Sequence, residues 1–211
     1  MRINEIYLSL QGESTYSGLP CVMIRTTGCN LRCSYCDSAF SFTEARDMSL
    51  PEILKAVDAF HVPLVELTGG EPLLQKESLE LLKTLCDRNY TVLLETSGSL
   101  DISKIDPRVI IVMDLKCPSS GEMESMLWEN INALRSKDEV KFVVGDERDF
   151  YWALNVVRKH RLDTKCTVLY SCVFETLQPS LLAEWILKER APGRMQLQQH
   201  KYIWDPLKRK V

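Results

Sequence analysis

Three cysteines with the spacing C-x3-C-x2-C, Cys29, Cys33 and Cys36, lie close together near the start of the chain. Thiolates are soft ligands that suit iron–sulfur clusters or zinc. No fourth Cys or His stands nearby to complete a tetrahedral zinc site. Three protein ligands on a four-iron cluster would instead leave one iron open for a substrate or cofactor. The alternatives are a zinc site completed by a distant ligand such as Cys117 or His61, and three buried thiols that bind no metal.

A second candidate motif is Gly-Gly-Glu-Pro at residues 69–72, which follows the apolar run 64–68. Two glycines let the backbone approach a ligand closely, and Glu71 can pair with an ammonium group. Taken alone, the motif could also be a plain turn. Other polar residues end further apolar runs and are expected to face the same cavity: Glu95, Asp114 and Lys116.

The elements that must position these residues alternate between strands and helices. Apolar, β-rich runs predict strands at 21–25, 64–68, 91–95, 109–114, 140–144, 167–170 and 195–198. Nearly continuous apolar runs are typical of parallel strands covered on both faces. Between them, helices are predicted from a capping box at Ser49 to about Phe60, over 79–86, from the cap Asp146 to about His160, and from Pro179 onward.

Strand–helix alternation of this kind predicts roughly six βαβ units in an open or partial α/β barrel. We find no linker or repeat and expect one domain over residues 1–211. In such folds, ligands bind at the carboxyl ends of the strands, where the motifs above fall.

The composition is that of an ordinary globular protein, with 211 residues, 45% hydrophobic and 26% charged. A net charge of -3 gives no indication of nucleic acid or an anionic membrane as the main partner. Because the N-terminus lacks a signal-peptide pattern and no apolar run approaches a membrane span, we expect a cytoplasmic protein. In a reducing compartment, clustered cysteines more often bind metal than form disulfides. The other five cysteines are expected to be buried: Cys21, Cys86, Cys117, Cys166 and Cys172.

The cysteine loop, with Tyr35 just before the last cysteine, and the Gly-Gly-Glu-Pro motif resemble the radical S-adenosylmethionine (SAM) superfamily. The resemblance implies a partial, incomplete parallel β/α barrel with a reduced helix complement. It also implies a [4Fe–4S] cluster on Cys29, Cys33 and Cys36, whose open iron binds SAM and whose electron cleaves SAM to a 5′-deoxyadenosyl radical. The residues expected to contact SAM are Tyr35, Cys36, Asp37, Gly70, Glu71, Asp114, Lys116, Ser171 and Cys172.

Four further segments, residues 7–14, 22–25, 36–38 and 197–206, resemble the 7-carboxy-7-deazaguanine synthase family. This likeness covers nearly the whole chain. It implies conversion of 6-carboxy-5,6,7,8-tetrahydropterin to 7-carboxy-7-deazaguanine with loss of ammonia, on the route to queuosine and related deazapurines. It further implies that Ser38 is a Mg²⁺ ligand. The residues expected to contact the substrate are Leu10, Gln11, Gly12, Glu13, Arg25, Thr68 and Pro206.

These side chains are chemically suited to a pterin. Gln11 can pair with a flat amide edge through a donor and an acceptor, Glu13 can accept from ring N–H groups, and Arg25 offers a rigid fork for a carboxylate. Because the chain continues to Val211, we expect contact through the backbone of Pro206 rather than through a free terminal carboxylate.

Partners and alternatives complete these expectations. The resemblance implies a small pterin substrate, a flavodoxin-type or similar electron donor and a homodimer. His200 and Trp204 either line the pocket or pack the final strand. Two other functions stay open at this point. One is a glycyl-radical-enzyme activating enzyme, which shares the cysteine loop, and the other is a zinc-binding interaction module.

Overall fold

Seven parallel strands form the centre of the computed structural model, which describes residues 1–211. Two antiparallel strands extend the sheet at one edge, in the order β3-β1-β2-β4-β5-β6-β7-β8-β9. The strands are β1 (Arg2–Leu10), β2 (Pro20–Thr26), β3 (Arg46–Asp47), β4 (Leu64–Gly69), β5 (Thr91–Thr96), β6 (Ile110–Asp114), β7 (Glu139–Val144), β8 (Thr167–Cys172) and β9 (Arg194–Met195). The two edge strands do not pair with each other, so the barrel is open, which confirms the predicted fold class.

Helices cover only some of the crossovers between the parallel strands. The α-helices are α1 (Leu50–Asp58), α2 (Glu77–Asp87), α3 (Glu147–His160), α4 (Pro179–Glu189) and α5 (His200–Ile203). Short 3₁₀ turns lie at Ala39–Phe42, Pro72–Leu74, Pro118–Ser120, Met123–Ser125, Trp128–Asn132 and Leu162–Thr164. No α-helix lies between β5 and β6 or between β6 and β7, so the predicted reduction in helices is confirmed.

Local sequence signals explain where the helices begin. Ser49 and Glu52 form the predicted capping box of α1, in which the Ser49 backbone N–H donates to Glu52 over 2.8 Å. The side chain of Asp146 accepts from the Asp149 backbone N–H and caps α3 as predicted. Pro179 is the first residue of α4. Proline is tolerated there because a backbone N–H at this position would have no partner within the helix.

The sheet has two chemically different faces. On the outer face, apolar side chains of alternate strand positions pack against the helices in a core of 40 buried residues. On the opposite face, which we call the inner face, charged side chains lie near the carboxyl ends of the strands: Arg25, Glu66, Glu95, Asp114 and Lys141. A smaller apolar cluster of Cys21, Leu64, Leu93, Ile110 and Val112 lies closer to the amino ends. The inner face therefore carries a layer of charged side chains near the carboxyl ends of the strands and apolar side chains nearer the amino ends.

Three differences from the sequence prediction concern strands. β1 was not predicted, because its apolar and polar residues mix as expected for a strand with one solvated face. The two-residue strand β3 was also missed. The last strand was predicted at 195–198, which is wrong, because pairing with β8 covers only Arg194–Met195. That a single domain spans residues 1–211 stays our interpretation.

Candidate active site at the carboxyl ends of the strands

The cysteine loop leaves β2 through a glycine that must adopt a left-handed conformation. Gly28 has φ +96°, a region that residues with a Cβ rarely occupy. Its N–H donates to the carbonyl of Ser41 over 2.9 Å, and its carbonyl accepts from the N–H of Glu71 over 2.8 Å. The loop is therefore tied to the Gly-Gly-Glu-Pro segment by a backbone hydrogen bond.

Close packing, rather than approach to a ligand, accounts for both glycines of the 69–72 motif. A Cβ on Gly70 would overlap the carbonyl of Gly28 and lie 2.9 Å from Cβ of Cys29. A Cβ on Gly69 would overlap Thr26 at the end of β2. We expected these glycines to admit a ligand, but the structure uses them to seat the cysteine loop against the end of β4.

Two other strand-end loops hold the cysteine loop from its remaining sides. The N–H of Ser34 donates to the carbonyl of Ser120, which follows β6, over 2.9 Å. The Asn30 amide donates to the hydroxyl of Ser99, which follows β5, over 2.9 Å. The loops after β4, β5 and β6 thus fix the backbone that carries the three thiols.

The thiols of Cys29, Cys33 and Cys36 are free and half-buried. Burial raises the pKa of Cys33 to about 11, and the nearby charge of Lys116 acts in the opposite direction. No three His, Cys, Asp or Glu side chains converge on a point where a single metal ion could sit. A four-iron cluster places each cysteine on a different iron, so its ligands need not converge in that way. Three thiols on a fixed loop fit such a cluster.

Glu71 does not present its carboxylate to the cavity. It is fully buried, and Oε1 accepts from the N–H of Leu73 and the hydroxyl of Thr96 over 3.0 and 2.9 Å. Oε2 accepts from the N–H and the hydroxyl of Ser97 over 2.8 and 2.6 Å. A carboxylate has about four acceptor positions, and protein donors fill all of them. The expected pairing of this side chain with an ammonium group of SAM therefore differs from what the structure shows.

Buried polar atoms without a partner lie at the ends of β6 and β8. Oδ2 of Asp114 accepts from the Lys116 ammonium over 2.7 Å, whereas Oδ1 has no hydrogen-bond partner. The Ser171 hydroxyl is also buried and unpaired. Because buried polar groups are nearly always satisfied, these atoms are available to a bound ligand. The Cys172 side chain belongs to the outer-face core, and contact of this residue with SAM stays a prediction.

The remaining residues expected to contact SAM or Mg²⁺ flank the last cysteine. The Tyr35 hydroxyl donates to the carbonyl of Val143 over 3.3 Å, which ties the loop to the end of β7. Asp37 pairs with Lys201 of α5 over 2.7 Å. The hydroxyl of Ser38 lies 3.9 Å from Sγ of Cys36 and has no other side-chain partner. Magnesium binding at Ser38 stays a prediction.

Gln11 occupies a different place from the one expected. It is buried, its amide nitrogen donates to Glu66 over 2.5 Å, and its amide oxygen accepts from the N–H of Glu13 over 2.5 Å. The side chain therefore shapes the turn that follows Leu10 at the end of β1, instead of offering its donor and acceptor to a ligand. Glu13, which that turn presents, is the residue of this segment with a carboxylate at the cavity.

Arg25 lies at the end of β2 with its guanidinium partly engaged. Nε donates to Glu5 over 3.0 Å, and Nη2 donates to the Tyr7 hydroxyl over 3.3 Å. Nη1 makes no hydrogen bond and can donate to a ligand. Thr68 lies beside Arg25 on the neighbouring strand and donates to Glu95 over 2.9 Å. Arg25 and Thr68 are thus brought together at one edge of the inner face.

Lys141 forms the centre of the charged layer. Its ammonium group contacts Glu13 over 2.7 Å, Asp114 at 3.8 Å, and Glu95. Burial raises the pKa of Glu95, but the charge and hydrogen bond of Lys141 oppose it and hold the value at about 2. Burial and the neighbouring Glu95 raise the pKa of Glu66 to about 8. The site therefore holds ionised and neutral carboxyl groups side by side.

The C-terminal segment reaches back to the turn after β1. The Gln198 amide donates to Glu13 over 2.9 Å, and the N–H of Gln199 donates to the carbonyl of Gly12 over 2.9 Å. A Cβ on Gly12 would overlap the imidazole of His200, so this glycine admits the histidine. His200 is thus placed against the site, whereas Pro206 is exposed and its contact with a substrate stays a prediction.

Residues beyond Pro206 pack on the first strand, and we call residues 198–209 the C-terminal strap. Nη1 of Arg209 pairs with Glu44 over 2.9 Å, and Nη2 lies 3.4 Å from Glu5, the partner of Arg25. The Arg209 guanidinium also lies 3.9 Å from the centre of the Phe40 ring. The strap therefore crosses from the β9 side of the open barrel to the side formed by β1 and β3.

Comparison with known proteins identifies the family. The model of the radical SAM superfamily matches residues 23–113. The chain is 46% identical over 209 residues to the 7-carboxy-7-deazaguanine synthase of Chlorobaculum tepidum, covering 98% of this chain and 95% of the relative. It is 42% identical to that of Koribacter versatilis, covering 98% of both chains. The chain belongs to the 7-carboxy-7-deazaguanine synthase family.

The fold agrees with this family assignment. The crystal structure of QueE from Escherichia coli superposes with a TM-score of 0.78, at 22% identity over 94% of each chain. No helix of this synthase-family chain is both long and apolar enough to cross a bilayer. Membership in the family favours a cluster over the zinc-module alternative for the three cysteines.

Sequence reasoning missed several residues of this synthase-family site. Lys141 stands inside an apolar strand run, where a charge is rare, and that interruption is the signal that could have identified it. Glu66 interrupts the apolar run of β4 in the same way. Gln198 carried no such signal, because its contact with Glu13 joins segments that are distant in sequence.

Proposed function

We propose that this chain converts 6-carboxy-5,6,7,8-tetrahydropterin to 7-carboxy-7-deazaguanine with loss of ammonia. The observation that carries the proposal is 46% identity over 98% of the chain to a relative of that name. The site is consistent with it, since Arg25 offers a free guanidinium nitrogen at the inner face and the Glu13 carboxylate reaches Lys141 on the same face.

The cysteine loop would hold the cofactors. Cys29, Cys33 and Cys36 would ligate a [4Fe–4S] cluster, and the unpaired atoms of Asp114 and Ser171 would receive hydrogen-bond donors of SAM. The bound cofactors would supply a 5′-deoxyadenosyl radical that abstracts a hydrogen atom from the substrate.

The chain's own residues bind and orient the substrate in this proposal. Nη1 of Arg25 holds the substrate carboxylate, which suits a planar cation. Glu13 accepts from N–H groups of the pterin ring, and the His200 imidazole covers the same turn. Gln11 contributes indirectly, because its side chain fixes the backbone of Glu13.

Further properties of the working enzyme belong to the same proposal. They include Mg²⁺ bound at Ser38, a flavodoxin-type or similar electron donor, a homodimer and a cytoplasmic location. All eight cysteines are free, as suits a reducing compartment, and the half-buried Ser38 hydroxyl, whose one side-chain contact is the long one to Sγ of Cys36, suits a cation that prefers oxygen ligands.

The test is anaerobic incubation of the reconstituted protein with SAM, a reductant and the carboxytetrahydropterin, followed by mass analysis. We expect 7-carboxy-7-deazaguanine, and deuterium from the abstracted position of the substrate should appear in recovered SAM. Cleavage of SAM without any deazaguanine would overturn the proposal and favour a protein substrate, as in an activating enzyme.

Variants of Arg25 test the substrate contact directly. Losing a charge-assisted contact costs about 2–4 kcal/mol, so Arg25→Ala should lower kcat/KM by about 30- to 1,000-fold. Arg148, exposed on α3, provides the matched control Arg148→Ala, which should leave the rate unchanged. An Arg25→Ala variant with the wild-type rate would contradict the assigned contact.

A further inference from the structure

Lys141 is a buried cation that no part of the proposed mechanism uses. It lies on the inner face of β7 and is 3% exposed. Transfer of an unpaired ammonium group into a protein interior is very unfavourable, so such a group persists only among compensating charges. Three carboxylates provide them: Glu13 from the turn after β1, Glu95 from β5 and Asp114 from β6.

Each of the three carboxylates also has a second contact besides the one with Lys141. Glu13 also accepts from Gln198 in the C-terminal strap, over 2.9 Å. Glu95 also accepts from Thr68, and Asp114 also pairs with Lys116 over 2.7 Å. Lys141 is therefore the point at which hydrogen bonds to Glu13 and Glu95 and a longer ion pair with Asp114 meet.

Two of these carboxylates lie beside different proposed ligands, one beside the substrate and one beside SAM. Glu13 lies on the side where the substrate is proposed to bind, and Asp114 carries the unpaired oxygen on the side proposed for SAM. The lysine ammonium contacts both, at 2.7 and 3.8 Å. A hydrogen-atom transfer depends steeply on the distance and alignment of the two reacting groups.

We propose that Lys141 is a positioning residue, whose ammonium group fixes the substrate-binding Glu13 relative to the SAM-side Asp114 and so sets the approach of the substrate to the radical. This inference rests on the proposed function. It predicts that removing the ammonium group separates cleavage of SAM from formation of product, whereas loss of a merely structural residue would lower both together.

Removing the charge also changes how stability depends on pH. In the wild type, Lys141 opposes the effect of burial on Glu95 and keeps its pKa below the usual value. Without Lys141, burial would raise the pKa of Glu95 above its unfolded value, so stability would be lost as pH rises. Other charged groups that face Lys141 or interact with it are Glu13, Glu66, Glu139, Asp37, Asp114 and Lys116.

The experiment compares Lys141→Met with Lys159→Met, which removes an exposed lysine from α3. In the reconstituted enzyme, Lys141→Met should lower kcat for product on the order of 100-fold while 5′-deoxyadenosine release per product rises at least about tenfold. Lys159→Met should match the wild type in both. Lys141→Arg keeps the positive charge and should recover part of the coupling.

Two readouts do not depend on turnover. Binding of 6-carboxypterin to the metal-free protein, followed by fluorescence, should weaken in Lys141→Met because Glu13 loses its partner. The difference in unfolding temperature between wild type and Lys141→Met should widen from about pH 5 to about pH 8. A difference that is the same at both pH values would contradict the charge argument.

The outcomes separate this inference from the proposed function. If the wild type makes no deazaguanine, the proposed function fails, whatever the variants do. If the wild type makes it and Lys141→Met keeps the wild-type ratio of 5′-deoxyadenosine to product, the positioning role is overturned. If Lys141→Met does not fold, Lys141→Arg decides: a raised ratio of 5′-deoxyadenosine to product supports the role, whereas a wild-type ratio or an equal loss of both activities overturns it.

Discussion

Replacing Glu71 with Gln tests whether this carboxylate supports the fold or binds a ligand. The change keeps the size of the side chain and replaces one acceptor oxygen with an amide that donates. In the structure, both oxygens are saturated by Leu73, Thr96 and Ser97, and the side chain is fully buried. Glu71→Gln should therefore destabilise the protein before any ligand binds.

The magnitude follows from the four hydrogen bonds. The amide would face at least one buried donor, the N–H of Ser97, and leaving it unsatisfied costs about 1–3 kcal/mol. The other bonds lose their charge-assisted strength, so the total is about 3–5 kcal/mol. For a chain of this size, that corresponds to a fall in unfolding temperature of roughly 6–20 °C.

The assay is thermal unfolding of the metal-free, reduced protein, followed by circular dichroism. Glu124→Gln, at an exposed position without a side-chain partner, is the control. It should change the free energy of unfolding by no more than about 0.5 kcal/mol. Our reasoning fails if Glu71→Gln unfolds at the wild-type temperature and the reconstituted variant loses affinity for SAM. That result would mean that the carboxylate contacts the ligand.

Three more predictions concern the loop and the strap. Cys36→Ala should lose both the cluster and the cleavage of SAM, because the loop has no spare thiol. The measurements are iron and sulfide content and 5′-deoxyadenosine formation, and near-normal values of both would contradict the assignment. Gly70→Ala should destabilise the metal-free protein by about 1–3 kcal/mol, because the new Cβ overlaps the Gly28 carbonyl; an unchanged unfolding curve would refute this. Arg209→Ala should raise KM for the pterin about two- to fivefold without changing SAM cleavage. Lys210→Ala is the control and should leave KM unchanged. Equal KM values for the two variants in steady-state kinetics would count against the strap contact.

The sequence predicted β2 and the parallel strands from β4 to β8 because these strands are largely buried and read as apolar runs. Leu64–Gly69, with one charged residue, and Glu139–Val144, with two, are examples in which charge did not hide the pattern. β1 escaped because it is an antiparallel strand with a partly solvated face, where apolar and polar residues mix. Local helix signals such as the Ser49 capping box were predictable, since all their partners lie within one turn.

The site was predictable only as far as residue types and strand ends allow. The sequence indicates that Asp114 and Lys116 end an apolar run and face a cavity, and the structure pairs them there. It gives no indication that Gln11 turns toward Glu66, or that Glu71 accepts from Ser97, because these pairings depend on the packing of segments far apart in the chain. Which polar groups remain without a protein partner therefore depends on how distant segments pack together, and residue type alone does not reveal it.

The C-terminal strap has a consequence for how the protein is made. The cysteine loop, residues 29–36, leaves the ribosome about 170 residues before Arg209, which is roughly 10–30 seconds at usual rates of synthesis. During that interval neither Lys201 nor Arg209 is present to cover Asp37 or Glu5. The nascent chain therefore passes through a stage in which the cysteine loop is already made but the ion pairs of the strap, including the one to Asp37 beside the last cysteine, are not yet formed.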